Sequence, residues 1–424
     1  LIGLLLALGI LMSSAPGTDR SALANPEALA RAAAVLNDPA RTRPFNILIL
    51  GDSHSAADHI SGALRTSLQA RYGAGGRGVL PAALPFAGFT VRQATLTYSG
   101  LTSRKGITEG PPAGLSGFTA ASRPGARLEL ASEIESTFDQ LIVCFLAEPG
   151  AGTLLLTAGT ETRTVSARAY SAGPRCEILQ TAGPVSLASV EVLDAGVRLY
   201  SWSTVRTTGG GVTVSNLGVI GATVDTLLTR DREVLRAELA AYRPDLIIVA
   251  FGTNEGFERD LDMVAYADRY ARALTLLQDL APGAALLAAG PPDAATVRPD
   301  LYNDDKDEEF DICRPLNADE IANYNAMLAR KDPILRRWYA PPALGPVREA
   351  QRRIAAARGV AFWDWEARMG GPCSIDGFWR EDPRAARGDH VHFTRVGGDR
   401  IGGWLARDLQ SAFDGTAVVP PGAD

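Results

Sequence analysis

Histidine is scarce in this chain of 424 residues, occurring only at His54, His59, His390 and His392. Imidazole chemistry therefore has few places to reside. Cysteine is equally scarce, and the spacings of Cys144, Cys176, Cys313 and Cys373 form no compact zinc signature. Charged residues make up 21% of the chain and the formal net charge is -6, so no basic footprint for nucleic acid is present. A long membrane-spanning run is missing as well. The most apolar stretch, "LIGLLLALGILMSSAPG", holds about twelve apolar residues where a crossing helix needs roughly twenty. "GAGGRG" follows a helical pattern and lacks the Lys-Ser/Thr ending of a phosphate-cradling loop. "YNDDKDEEFD" lacks the glycine turn and ligand spacing of a calcium loop, which leaves a solvated acidic face.

The remaining 46% hydrophobic content is enough for a large core. Residues 1–20 read as a signal-like segment, cleaved near Ser14 or Ala15 or kept as a membrane tether. An exported protein of the periplasm or cell envelope is expected, and disulfides can form there. Four cysteines allow three connectivities. Cys144 with Cys176 and Cys313 with Cys373 is the expected pairing, because each pair falls within one segment of the chain.

After an amphipathic lead-in, "FNILIL" is a continuous apolar strand and the residues after "GDS" continue as a helix with Ile60, Leu64 and Leu68 at four-residue steps. Continuous apolarity suits a parallel strand covered on both faces. From 89 to 213 the pattern changes to short Val-, Leu-, Thr- and Tyr-rich segments separated by Gly, Pro and Ser, the pattern of an all-β sandwich or barrel. Alternating strands and helices return at 214 and run to 414, with "DLIIVAFG", "AALLAAG" and "VAFWDW" as further strands. The reading is an α/β domain over 21–88 and 214–414, a β-domain inserted at 89–213, and a tail at 415–424.

Four places carry chemistry. Ser53 sits in a tight turn between strand and helix, with its hydroxyl past the strand end and its amide among the free donors of the helix start. As a plain alternative, it caps the helix. Asp389 and His392 stand three apart in "GDHVHF", close enough to reach one face. A serine hydroxyl becomes nucleophilic when an imidazole takes its proton and a carboxylate fixes that imidazole. Asn254 in "GTNE" and Gly221 in "NLGVIGAT" follow apolar strands, where an amide side chain and an unshielded backbone N–H can stabilise an oxyanion. Both are also ordinary turn formers. Asp52 braces the elbow. Asp58, His54 and His59 either line the cleft or face solvent, and His390 points away in an extended loop. Trp363 and Trp365 alternate along a strand, one in the core and one nearer the cleft. Trp379 is the better candidate for stacking on a sugar.

Taken in order, "GDSH", "NLGVIGAT", "GTNE" and "DHVH" resemble the four blocks of the SGNH hydrolases, also called GDSL-like esterases, with His54 standing where the GDSL form has Leu. The continuation "GDSHSAADHISGALRTSLQARYGAGGRGVLP" and the ending "VAFWDWEARMGGPCSIDGFW…DHVHFT" are similar to bacterial envelope esterases that remove O-acetyl groups from peptidoglycan. The resemblance implies a flavodoxin-like three-layer α/β/α domain with an inserted β-sandwich similar to a carbohydrate-binding module. A purely structural insert walling the cleft is the alternative. It also implies Ser53 as nucleophile, His392 as base, Asp389 as its orienter, and the Ser53 and Gly221 amides with Asn254 as the oxyanion hole. No metal or cofactor is called for, and the partner is an O-acetylated glycan. An O-acetyltransferase, an acetyl-xylan-type or general carbohydrate esterase, a lipase or thioesterase, and a silent glycan-binding protein stay open.

Overall fold

The structure, a computed structural model, describes residues 22–109, 112–298 and 312–415. The signal-like segment, the acidic run and residues 416–424 lie outside these. Among the described residues, no helix is long and apolar enough to cross a membrane.

A six-stranded sheet organises the α/β part, in the order Leu23–Ala24, Ala361–Trp363, Ala285–Ala289, Leu246–Ala250, Phe45–Gly51, Val212–Gly218. All pairings are parallel except the first. The strand Phe45–Gly51 shows why the sequence reads as unbroken apolarity. Ile47 and Ile49 join a core with Leu64 and Leu68 of the helix Ile60–Tyr72, and with Ile401 and Leu405 of the helix Arg395–Phe413. Leu48 and Leu50 join an opposite core with Leu235, Leu274 and Val347 of three other helices. Every position is buried because both faces are covered.

Three strands end level with one another: Gly51 pairs with Gly218 on one side and with Ala250 on the other. Their carboxyl ends form the edge where ligands collect in such sheets. Glycine is required at 218 because a Cβ there would lie 2.3 Å from the Ser55 carbonyl carbon. The elbow helix Ser53–Ala56 can therefore settle onto the strand end.

The second sheet has nine strands and its own core, built by Trp202, Phe145, Leu156, Val190 and Leu130 among others. Its terminal strands Thr153–Ala158 and Glu161–Ser166 also pack against Gly173–Val185 at the other end, so the sheet curls over that core. Ile142, Cys144 and Tyr200 face the other way, into the core shared with the helix Arg232–Tyr242. Gly78–Pro81 pairs with Arg198–Val205 in this second sheet, although its position places it in the first α/β segment. Both expected disulfides are present, and Cys144 and Cys176 sit directly opposite on paired strands.

Two local expectations are corrected. "VAFWDW" is a strand only over Ala361–Trp363, because Asp364 accepts the Ala367 N–H at 3.0 Å and starts a helix. Trp363 and Trp365 are therefore both buried, on different elements. Trp379 lies in the helix Ser374–Arg380, not in a loop.

Candidate active site

Asp52 starts the elbow. Its carboxylate accepts the His54 backbone N–H at 3.0 Å and fixes the first turn of the helix that begins with Ser53. The Ser53 hydroxyl lies 2.9 Å from His392 Nε2, and His392 Nδ1 lies 2.8 Å from Asp389 Oδ2. The other Asp389 oxygen accepts the N–H groups of Val391 and His392 at 3.0 and 2.9 Å. Burial alone would raise the Asp389 carboxyl, but the His392 ring and these two N–H groups outweigh it and hold it well below the usual carboxylate range. Asp389 is thus an anion beside Nδ1, which directs the other ring nitrogen, as an acceptor, toward the serine.

Gly221 and Asn254 emerge from the two strands flanking Gly51. Gly221 has φ +74°, a left-handed conformation that other residues adopt at a cost. Asn254 donates one N–H to the Ala222 carbonyl at 2.7 Å, leaving its second amide hydrogen available. Glu255 accepts the Val224 N–H at 2.8 Å, so consecutive residues clamp both sides of Thr223. Burial pushes the Glu255 carboxyl up to about 7, against the pull of that N–H.

A cavity of about 260 Å³ opens beside Ser53, lined among others by Ala57, Ile60, Phe86, Ile220 and His392. Gly221 and Asn254 are not among its lining residues. The structure thus brings Ser53, His392 and Asp389 together by direct contact, and sets Gly221 and Asn254 at the adjoining strand ends.

The other candidates divide between the cavity and places away from it. His59 lines the cavity, and its ring is shifted down by burial and by the nearby charges of Arg92 and Arg387. Asp58 neither lines the cleft nor faces solvent: it is buried against Arg65 at 2.6 Å and Arg77 at 3.1 Å. His390 does point away, but through a left-handed backbone, φ +51°, not an extended one, and it meets Asp376 at 3.0 Å. Trp379 packs beside His390 under the Arg384 guanidinium and does not line the cavity. Phe86 and Phe393 are the phenylalanines that do so. His54, read as a cleft or surface residue, does line the cavity, from a largely buried place beneath His392. Among the described residues, no group of three His, Cys, Asp or Glu could hold a metal ion.

A family model for the GDSL-like lipase/acylhydrolase family matches residues 188–400, half of the chain. The chain belongs to the GDSL-like lipase/acylhydrolase family. The matched span holds Gly221, Asn254, Asp389 and His392 and begins well after Ser53, which the first sheet returns to them by placing Phe45–Gly51 between Val212–Gly218 and Leu246–Ala250. Membership makes the protein a serine ester hydrolase with the SGNH hydrolase fold and an added β-rich region. A solved peptidoglycan O-acetylesterase is similar over 94% of this chain and 98% of its own, with 22% identity and a TM-score of 0.70. A family two carbohydrate esterase from Cellvibrio japonicus covers 80% of this chain and 98% of its own at 12% identity and a TM-score of 0.27. An acetyl xylan esterase covers 48% and 81% at 13% identity and a TM-score of 0.28. These last two likenesses carry no weight here. No curated protein matches the chain by sequence.

Proposed function

We propose that this GDSL-like hydrolase removes O-acetyl groups from cell-envelope polysaccharide, peptidoglycan foremost, through an acetyl-serine intermediate. The observation that carries this reading is the series Ser53 Oγ, His392, Asp389, joined at 2.9 and 2.8 Å beside a cavity. His392 takes the Ser53 proton as the hydroxyl attacks the acetyl carbonyl, and Asp389 stabilises the imidazolium that forms. The Ser53 and Gly221 amides and the free Asn254 N–H hold the oxyanion. Collapse of the tetrahedral adduct expels the sugar oxygen, which takes the proton from His392. Water, deprotonated by His392, then clears the acetyl group as acetate.

Hydrolysis is favoured over transfer to a second sugar because the His392 side chain is 39% exposed, open to the water that deacylation needs. The choice of peptidoglycan rests on the sequence blocks shared with envelope O-acetylesterases and on the fold likeness. The two disulfides and the apolar N-terminal segment support export to the periplasm or envelope. The second sheet, read as an insert over 89–213, is assigned to holding or walling the glycan.

Acetate release from O-acetylated peptidoglycan and from acetylated xylan, compared for wild type and Ser53→Ala, tests the assignment. Release from peptidoglycan alone, abolished in the variant, is expected. Equal release from both would reduce the assignment to a general carbohydrate esterase.

A further inference from the structure

The loop that carries the base is exposed: the Asp389 side chain is 47% and the His392 side chain 39% accessible. A loose loop would let the Ser53–His392 distance wander, and small displacements at such a distance cost large factors in rate. Something buried must hold it. Directly beneath, the His54 ring lies 5.4 Å from the His392 ring, nearly parallel at 29°. Its Nε2 is 2.9 Å from the Val391 carbonyl oxygen, and its Nδ1 is 3.1 Å from Asp52 Oδ1. The neighbour of the nucleophile therefore grips the neighbour of the base. Ser53–His392 and His54–Val391 form two adjacent rungs between the elbow and the loop.

A carbonyl oxygen can only accept, so Nε2 donates. The Asp52 carboxylate also accepts, so a protonated ring, with Nδ1 donating in turn, would pair its charge with Asp52. Burial works against that charge, but the Asp52 carboxylate, the Val391 carbonyl and the Asp389 charge together raise the His54 ring above its ordinary value. Thr253 Oγ1 lies 3.5 Å from Nδ1, and the Trp365 and Phe393 ring centroids each lie 5.6 Å from that of His54.

We infer that His54 is a positioning residue, which fixes the distance between Ser53 and His392 by holding the Val391 carbonyl from the Asp52 side. This rests on the catalytic reading of Ser53 and His392. The tests are His54→Gln, whose amide can still donate to the Val391 carbonyl, and His54→Phe, which keeps the ring packing but donates nothing. Both keep the backbone N–H that Asp52 accepts. For each, kcat and KM on p-nitrophenyl acetate, the rate of Ser53 labelling by a fluorophosphonate, and Tm are measured. His54→Phe should lower kcat and the labelling rate by 10-fold or more with KM within two-fold, and His54→Gln should recover most of the loss. Equal activity in the two variants, or losses that follow Tm alone, would overturn the inference and leave the catalytic reading standing. A wild type that neither hydrolyses the ester nor labels at Ser53 would overturn both.

Discussion

Asp389 is the residue whose surroundings say most about its task. It accepts three hydrogen bonds, one from the imidazole it orients and two from the backbone of its own loop. Replacing it by Asn keeps the shape but removes the anion that selects the tautomer, so Asp389→Asn should lose about 10³-fold or more in kcat. An unchanged kcat would show that another group orients His392. Asn254 works differently, since one amide hydrogen secures the Ala222 carbonyl and the other is free. Asn254→Ala should cost about 10²-fold in kcat with little change in KM, as loss of an oxyanion donor does. A rise in KM at constant kcat would place Asn254 in ground-state binding instead. The meeting of Ser53, His392 and Asp389 was legible in the chain from the order of the four motif blocks, since each block alone also fits a cap or a turn. His54 was legible as a cleft residue but not as a partner of Val391. Its ring meets a carbonyl 337 positions away, and no local spacing encodes that.

At the scale of elements, "FNILIL" and "DLIIVAFG" were readable as apolar strands of one sheet, whereas Val212–Gly218, with Thr213, Ser215 and Asn216, reads like the short segments of the β-domain before it and joins the first sheet instead. Gly78–Pro81 was not readable, because four residues carry too little periodicity and the partner strand lies beyond residue 197. The boundary at Asp364 had a visible signal, an Asp followed by Trp-Glu-Ala, which the alternation of Trp363 and Trp365 concealed. The contact between the helix Arg232–Tyr242 and the second sheet encloses Glu238, which accepts the Leu115 N–H at 2.6 Å and contacts the Ser201 hydroxyl. Burial pushes Glu238 up to about 7 from 4.5, against the pull of Ser201, the Leu115 N–H and the Arg230 charge. The folded state then holds a proton that the unfolded chain has released, so stability falls as pH rises from about 4.5 to about 7, and this contribution levels off above that. Glu238→Gln should reduce the decline of Tm across that range. An unaltered slope would mean Glu238 titrates normally.

Across the whole molecule, two cores are joined through one face of the second sheet, and the Cys144–Cys176 bridge sits at that junction, its Cys176 sulfur near the Ala237 carbonyl at 3.8 Å. Replacing both cysteines by serine should destabilise the fold by about 2–4 kcal/mol, read by denaturant unfolding, while kcat stays near wild type because neither residue touches the elbow or the loop. A large fall in kcat at full folding would mean that the second sheet governs the site directly. The central claim is that distant parts of the chain converge to make the Ser53 hydroxyl attack an acetyl ester. Its most direct measurement is intact-protein mass spectrometry with peptide mapping, on enzyme quenched in acid during turnover of O-acetylated peptidoglycan. An added acetyl group is expected on the peptide containing Ser53, absent in Ser53→Ala. Undiminished acetate release by that variant, or an acetyl group carried on another residue during turnover, would contradict it.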